Sequence, residues 1–382
     1  MKKLLIVILA VALLFGGFLT WKNYTPKAEP EEAQETAVRT VDLDALYAAH
    51  DPDEVVVTVG DHPVTWDKYY YFLRSNINYI QQMFAYYGEG ETDWSMIADE
   101  TTGETMGQSM NTMAKESIKE LYASVDFAEK NGAGLTEAQK AEIAGELAAM
   151  AAQVCGEGAT EADFDAYLGE MCISRELYDM MVAWNYLDTN TAAALFGENG
   201  EKISDEEALA YLAENQLSRA NHILFLTRDM STGEELEESV KAEKLAQAQA
   251  VAEELRAAES TEALLALFAE KKQALDEDSG KTTNPDGYIV YPGAGFVAEF
   301  LDTALSLADY QVSDPVETVY GYHVILRLPL GADEIVDAQN GLSARQILVS
   351  DGFAKQLNEF MATLECEYAD GFTPVDVAAF VR

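Results

Sequence analysis

The sequence predicts an α+β protein, and three observations carry that prediction. From Trp66 to about Phe196 the chain shows alanine-rich amphipathic segments with apolar residues at helical spacing. Two β-like apolar runs, "RANHILFLT" (Arg219 to Thr227) and "VYGYHVILRL" (Val319 to Leu328), lie about a hundred residues apart. Between them, helical segments alternate with loops rich in Asp, Ser, Gly, Asn and Pro. At 382 residues and 48% apolar content, the chain has the length and composition for two globular domains.

The N-terminus opens with Lys2-Lys3 and an uninterrupted apolar run, Leu4 to Trp21, "LLIVILAVALLFGGFLTW". A basic start before such a run reads as an export signal. Its 18 residues reach the lower limit for a membrane span, and no A-x-A cleavage site closes it. No Cys stands where a lipid would be attached. We expect residues 1–24 to be an uncleaved signal anchor, with a cleaved signal peptide as the alternative. The positive end stays in the cytoplasm, so the bulk of the chain is expected outside: a single-pass membrane protein, or a secreted one if the signal is cut. Residues 25–52 are acidic, open with two prolines and lack early periodicity, which predicts an extended tether.

Order is expected from Glu54, where "EVVVTVGDHPVTWDKYYYFL" gives a short β run, a Gly60-Asp61 turn and Thr65 as a helix N-cap. The helical region follows, with a capping box at Thr136–Gln139. Its opening helix is unusually aromatic: eight Phe or Tyr residues fall between Tyr69 and Tyr87. About half are expected in the core, and the others along an exposed groove suited to apolar segments. Ser204 with Glu207 forms a second capping box, and the helix it starts leads into the first β run. From there the order is strand, helix, helix, short strand, helix, strand. The helical stretch 241–272 breaks near Glu259-Ser260-Thr261, and a loop spans Asp276 to Gly287. After Leu330 comes one more helical run, "ARQILVSDGFAKQLNEFMATLE", and an apolar tail, "VDVAAFVR". This tail is too short to fold alone and is expected to pack back on the first helices. The expected division is a helical domain over 53–215, an α+β domain over 216–330 inserted into it, and a segment 331–382 completing the helical one.

A formal charge of -42 excludes nucleic acid as a partner, since phosphates would be repelled, and favours solubility. Three cysteines, Cys155, Cys172 and Cys366, show no C-x-x-C spacing, which argues against a disulfide framework or a metal cluster. Reduced thiols are expected, with a Cys155–Cys172 bridge left open. No cofactor is called for.

Only four histidines occur, and two of them sit inside the two β runs: His222 and His323. A buried imidazole carries two ring nitrogens that need partners. If the two strands are neighbours, the rings can meet across the sheet, and Thr318, five residues before His323, can bond one of them and fix its tautomer. No H-x-x-x-H or Cys spacing supports a metal here, and no G-x-S-x-G supports a serine hydrolase.

Four motifs, "SRANHILFL", "LDEDSGKTTNPDGY", "GFVAEFLDTALSL" and "SDPVETVYGYHVILRL", together resemble the parvulin-type peptidyl-prolyl isomerases over Ser218 to Leu328. The flanks, with "VTVGDHPVTWDKYYYF" and "ISDEEALAYLAENQ", resemble the chaperone domain of PrsA- and SurA-like exported foldases. The resemblance implies a parvulin-like antiparallel sheet with surrounding helices, inserted into a mostly helical chaperone domain. It implies cis-trans isomerisation of X-Pro bonds in newly exported, unfolded chains, with no cofactor; homodimerisation is compatible with it. A rival reading is a non-catalytic chaperone whose parvulin unit only binds polypeptide.

Carried over by position, the family's paired histidines fall on His222 and His323 and its active-site Thr on Thr318. Its Cys or Asp falls on Asp278, or on Ser279 if the loop is shifted by one. The apolar proline pocket falls on Phe296 and Phe300, and the adjoining positions on Tyr288 and Tyr291. Three departures bear on substrate fit. Phe296 replaces the usual Met, Val297 stands where many members have Gln, and Asn284-Pro-Asp-Gly-Tyr288 replaces Gly-Gly-Asp-Leu-Gly.

Overall fold

The computed structural model describes residues 40–87 and 92–382. The anchor or signal expected over 1–24 lies outside them, as does the tether up to residue 39. Among the described residues, no helix is long and apolar enough to cross a membrane. The described chain mixes helix and sheet, and it divides into two compact units, 40–195 with 352–382, and 196–351.

In the first unit a three-stranded antiparallel sheet has Val55–Val59 between His62–Thr65 and Cys366–Tyr368. Two long helices, Trp66–Tyr87 and Met106–Lys130, pack on it, and Leu43–Tyr47, Glu137–Cys155, Glu161–Glu170 and Arg175–Phe196 complete the helical part of the unit. The capping boxes form as the sequence expects: Thr136 accepts from the Gln139 N–H and Gln139 returns a bond to the Thr136 backbone. Tyr69, Tyr70, Tyr71 and Phe72 are buried with Trp66 in the main core, whereas Tyr79 and Tyr86 stand exposed on the same helix. The three cysteines are unbridged.

One expectation needs correction here. Residues 40–52 are not an extended tether. Asp42 caps a short helix, Leu43–Tyr47, by accepting from the Ala45 N–H at 3.1 Å, and Val41 bridges to Val381. Leu46 is fully buried. Burying one leucine is worth about 1.5–3 kcal/mol, which outweighs the repulsion among neighbouring acidic side chains in water.

The second unit carries His222 and His323. Its elements are α1 (Asp205–Glu214), β1 (Ser218–Leu226), α2 (Glu238–Arg256), α3 (Thr261–Leu275), β2 (Tyr288–Val290), α4 (Ala298–Ser306), β3 (Val316–Glu317), β4 (Gly321–Leu328), and a hairpin of β5 (Ile335–Asp337) and β6 (Leu342–Ser343). The antiparallel sheet runs β2-β1-β4-β3. β1 and β4 are the central pair, so both of their faces are covered and almost every residue in them is buried. On one face Ile223, Phe225, Val324 and Leu326 pack with Val251 and Leu255 of α2 and Phe268 of α3. On the other, Ala220 and Ile325 pack with Phe300, Leu301 and Ala304 of α4.

Two segments fall in a different unit from the one expected. Residues 196–215 and 331–351 group with the sheet, and only 352–382 joins the first unit. The cause is a small separate core, in which Ala208 and Leu212 of α1 meet Leu330, Ala332, Val336 and Ala344. The side chains that follow the last strand find apolar partners next to that strand, so the chain has no need to travel further.

Candidate active site

The register of the central strands decides how the histidines meet. His222 lies opposite Ile325, and His323 lies opposite Leu224. The two rings are therefore diagonal neighbours on one face of the sheet, the face over which α4 lies. Their Nδ1 atoms are 3.1 Å apart and both side chains are buried. His323 Nε2 is 2.9 Å from Thr318 Oγ1, and His222 Nε2 is 3.0 Å from Asp278 Oδ2. Tyr288 donates its hydroxyl to the same carboxylate oxygen at 2.8 Å.

These contacts form one chain whose direction can be worked out from its ends. Asp278 is held well below the usual carboxylate range, chiefly by the His222 ring N–H, with help from the Gly280 N–H and the Tyr288 hydroxyl. An ionised carboxylate only accepts, so His222 carries a proton on Nε2, and with one proton on that ring its Nδ1 is bare. His323 must then donate from Nδ1, which leaves its Nε2 to accept from Thr318 O–H. A second proton on His222 Nδ1 would face the His323 N–H, and one on His323 Nε2 would face the Thr318 O–H, so the chain as bonded holds one proton on each ring. Burial and the neighbouring His222 push the His323 imidazole down to about 3, in keeping with that. Burial together with the Asp278 carboxylate pushes Tyr288 up to about 12, so its hydroxyl stays protonated.

Turn and loop geometry place the outer members. The Thr318 N–H closes on the Gly321 carbonyl at 2.9 Å, and the Tyr320 N–H bonds Thr318 Oγ1 at 3.1 Å. A side chain at Gly321 would run into the Phe225 carbonyl, so this residue permits the close approach of β4 to β1. On the other side, Asp276 accepts from the Leu224 N–H at 2.9 Å and from the Asp278 N–H at 3.1 Å, pinning the loop to β1. Lys272 adds a clamp, bonding Asn221 Oδ1 at 2.6 Å and the Pro285 carbonyl at 2.9 Å. Neither Asp276 nor Lys272 was singled out by sequence. Only their place beside the acidic loop hints at the role.

The aromatic residues stand around this chain. Phe300 is buried, with its ring centroid 5.2 Å from that of His222 and 5.3 Å from that of His323. Phe296 lies 5.6 Å from Phe300 and also 5.6 Å from Tyr288. Tyr291 is 44% exposed and faces an open cleft that Tyr288 and Phe296 also line. The structure thus brings His222, His323, Thr318, Asp278, Tyr288, Phe296 and Phe300 together and leaves Tyr291 at the rim. Of the two loop positions, Asp278 meets the histidine, while Ser279 begins a short 3-10 turn. Among the described residues, no group of His, Cys, Asp and Glu could hold a metal ion.

Residues 222–328 match the family model described as Rotamase, the PPIC-type PPIase domain. Over 132 residues the chain is 33% identical to Foldase protein PrsA of Halalkalibacterium halodurans, a match covering 33% of this chain and 32% of that one. The chain thus spans about a third of the length of the curated relative it matches. Among solved structures, PrsA from Bacillus subtilis is 17% identical, covering 71% of this chain and 91% of its own, with a TM-score of 0.23. A structure of SurA-like chaperones from Campylobacter jejuni is 19% identical, covering 59% and 90%, with a TM-score of 0.23. Residues 222–328 are a PPIC-type peptidyl-prolyl isomerase domain, the class also called parvulin. Over the matched stretch the chain is a homologue of the PrsA foldase.

Proposed function

We propose that the chain is an extracytoplasmic foldase that accelerates cis-trans isomerisation of X-Pro bonds in unfolded polypeptides and holds such chains while it does so. The observation that carries the reading is the Thr318–His323–His222–Asp278–Tyr288 chain set against the Phe296–Phe300 rings. The histidines are bonded to each other and held at both ends by Thr318 and Asp278, so they serve as a rigid floor rather than as base and nucleophile.

Rotation about the X-Pro bond must give up amide resonance against a barrier of roughly 18–20 kcal/mol, and no covalent bond breaks. Uncatalysed turnover takes tens to hundreds of seconds, slow enough to limit folding. A catalyst gains by favouring the twisted amide over the planar one. The planar form is the more dipolar, with negative charge on oxygen and positive charge on nitrogen. An apolar wall of Phe296 and Phe300 around the proline ring disfavours that dipole. Asp278, ionised and facing the carbonyl oxygen, raises the planar form further, because that oxygen is less negative once twisted.

Export and membrane attachment rest on the basic start and the apolar run Leu4 to Trp21. Holding of clients rests on the exposed Tyr79, Tyr86, Met96 and Ile97 of the first unit. One observation favours the rival, a parvulin unit that only binds: the Tyr288 hydroxyl already occupies Asp278 Oδ2, and its ring stands beside Phe296.

The test is the cis-to-trans rate of X-Pro peptides with the purified chain, compared with His222→Ala, Asp278→Ala and Phe300→Ala. Acceleration by the wild type, with kcat/KM lowered on the order of 10²-fold by Asp278→Ala, is expected. Background rates in all four proteins, each shown to be folded, would leave binding alone.

A further inference from the structure

A cleft of about 1160 Å³ opens on the side of the site where Tyr288 and Phe296 stand, and isomerisation of a proline does not require it. One wall is the ring cluster itself: Tyr288 lies 5.7 Å from the His222 ring and Phe296 lies 5.6 Å from Phe300. The opposite wall comes from residues outside the matched span 222–328, among them Tyr211, Leu217, Ile335 and Ile347. The walls share a core, since Ile289 of β2 packs into the cluster of Leu212, Leu330 and Val336. Arg345 fastens that wall, binding Asp333 at 2.7 Å and also the Ile203 carbonyl and Asp205. The cleft is therefore preformed rather than dependent on closure.

Its surface has a definite chemistry. Ile335 is 47% exposed and Tyr291 44% exposed, so apolar area stays open inside it. The polar rim is acidic, with Glu214, Glu334 and Asp337. Among the described lining residues the one cation is Arg219, and Glu334 holds it at 2.6 Å.

We propose that this cleft is a second subsite for the client polypeptide. It takes the residues flanking the X-Pro bond and prefers an apolar or aromatic side chain next to a Lys or Arg. The inference rests on the reading that the ring cluster holds the proline, because continuity with that cluster is what assigns the cleft to the same chain. A volume above the roughly 300–1,000 Å³ of a site for a drug-sized ligand suits several residues of an extended segment. The apolar side chain covers Ile335 and Tyr291, and the cation answers the acidic rim. Acidic flanks are repelled. Because the outer wall lies beyond the family domain, the preference belongs to this chain's own architecture.

The experiment uses the full chain and three peptides sharing one X-Pro core, flanked by Leu-Lys, by Ser-Ser or by Glu-Glu within four residues of the proline. Two quantities are read for each: kcat/KM for isomerisation, and affinity by fluorescence anisotropy. The Leu-Lys peptide is expected to exceed the Ser-Ser peptide by about 10-fold in both, the scale set by one added apolar contact, with the Glu-Glu peptide weakest. Ile335→Ser should reduce the Leu-Lys advantage to about 2-fold, and Glu214→Gln should weaken the discrimination between Lys and Glu flanks. Equal values for the three peptides, or ratios unchanged in both variants, overturn the subsite while leaving the isomerase intact. If no peptide is turned over, the isomerase reading fails on its own and affinity decides the subsite: a 10-fold preference lost in Ile335→Ser upholds it, and equal affinities overturn it.

Discussion

Acid should loosen the sheet unit, and His323 is the reason. In the unfolded chain its imidazole takes up a proton near pH 6.5, whereas in the fold burial and His222 push that uptake down to about 3. The folded value is the lower one, so the unfolded chain gains the proton first. Stability is whole above about pH 6.5 and is lost as the pH falls toward 3. The loss between pH 7 and pH 5 amounts to about 2 kcal/mol, on a site at about 6.5 unfolded and about 3 folded. Of the facing groups only the Asp278 charge eases the uptake, and burial with His222 outweighs it. His222 offers Nδ1, Thr318 donates to Nε2, Phe300 covers the ring, and Asp278 is spent on His222. All four tryptophans, Trp21, Trp66, Trp94 and Trp184, lie outside Phe196–Asp351, so intrinsic tryptophan fluorescence would miss the event. Hydrogen exchange of peptides from 220–226 and 321–328 reads it directly. After correction for intrinsic rates, protection should fall about 30-fold from pH 7 to pH 5. His323→Gln, whatever its absolute stability, should flatten that dependence. Protection unchanged with pH in the wild type, or an equal fall in the variant, would refute the reasoning.

Two further outcomes are expected. Thr318→Val removes the donor to His323 Nε2 and leaves a buried ring nitrogen without its partner, which should cost the sheet unit about 1–3 kcal/mol in denaturant unfolding; Thr318→Ser should restore most of it. Gly287→Ala places a Cβ 2.5 Å from the Ala220 carbonyl at a φ of 93°, pushing the Asp278 loop off β1. A loss of about 1–3 kcal/mol, together with increased hydrogen exchange across 276–288, is expected there.

Much of the site is legible in the sequence. His222 and His323 stand out because imidazoles are costly inside apolar strands, and that cost points to a shared partner. The family resemblance of the motifs between them implied Asp278, Phe296 and Phe300. The loop register, Asp278 or Ser279, stayed open because a run of small polar residues carries no periodicity to fix it; contact with His222 Nε2 decides it. The roles of Lys272 and Asp276 are not legible for a similar reason. Their partners are a side chain 51 residues away and a backbone N–H 52 residues away, and no spacing rule links either pair. The acidic composition of 25–52 hides the short helix at its end, because Leu43, Leu46 and Tyr47 find their core partners far along the chain.

By itself, the sequence determined the mixed helical and sheet character, the capping boxes, the two buried strands and the residue types gathered at the site. These are local matters of periodicity, of N-cap hydroxyls and of polar groups in apolar runs, and neighbouring residues state them. Tertiary structure alone decided which imidazole nitrogen donates, since that depends on the diagonal register of β1 and β4 and on an ionised carboxylate at one end of the chain. It alone decided that residues 331–351 join the sheet unit and wall a cleft beside the aromatic cluster. A short apolar segment has many adequate partners in sequence, and only the packed core shows which of them lie within reach.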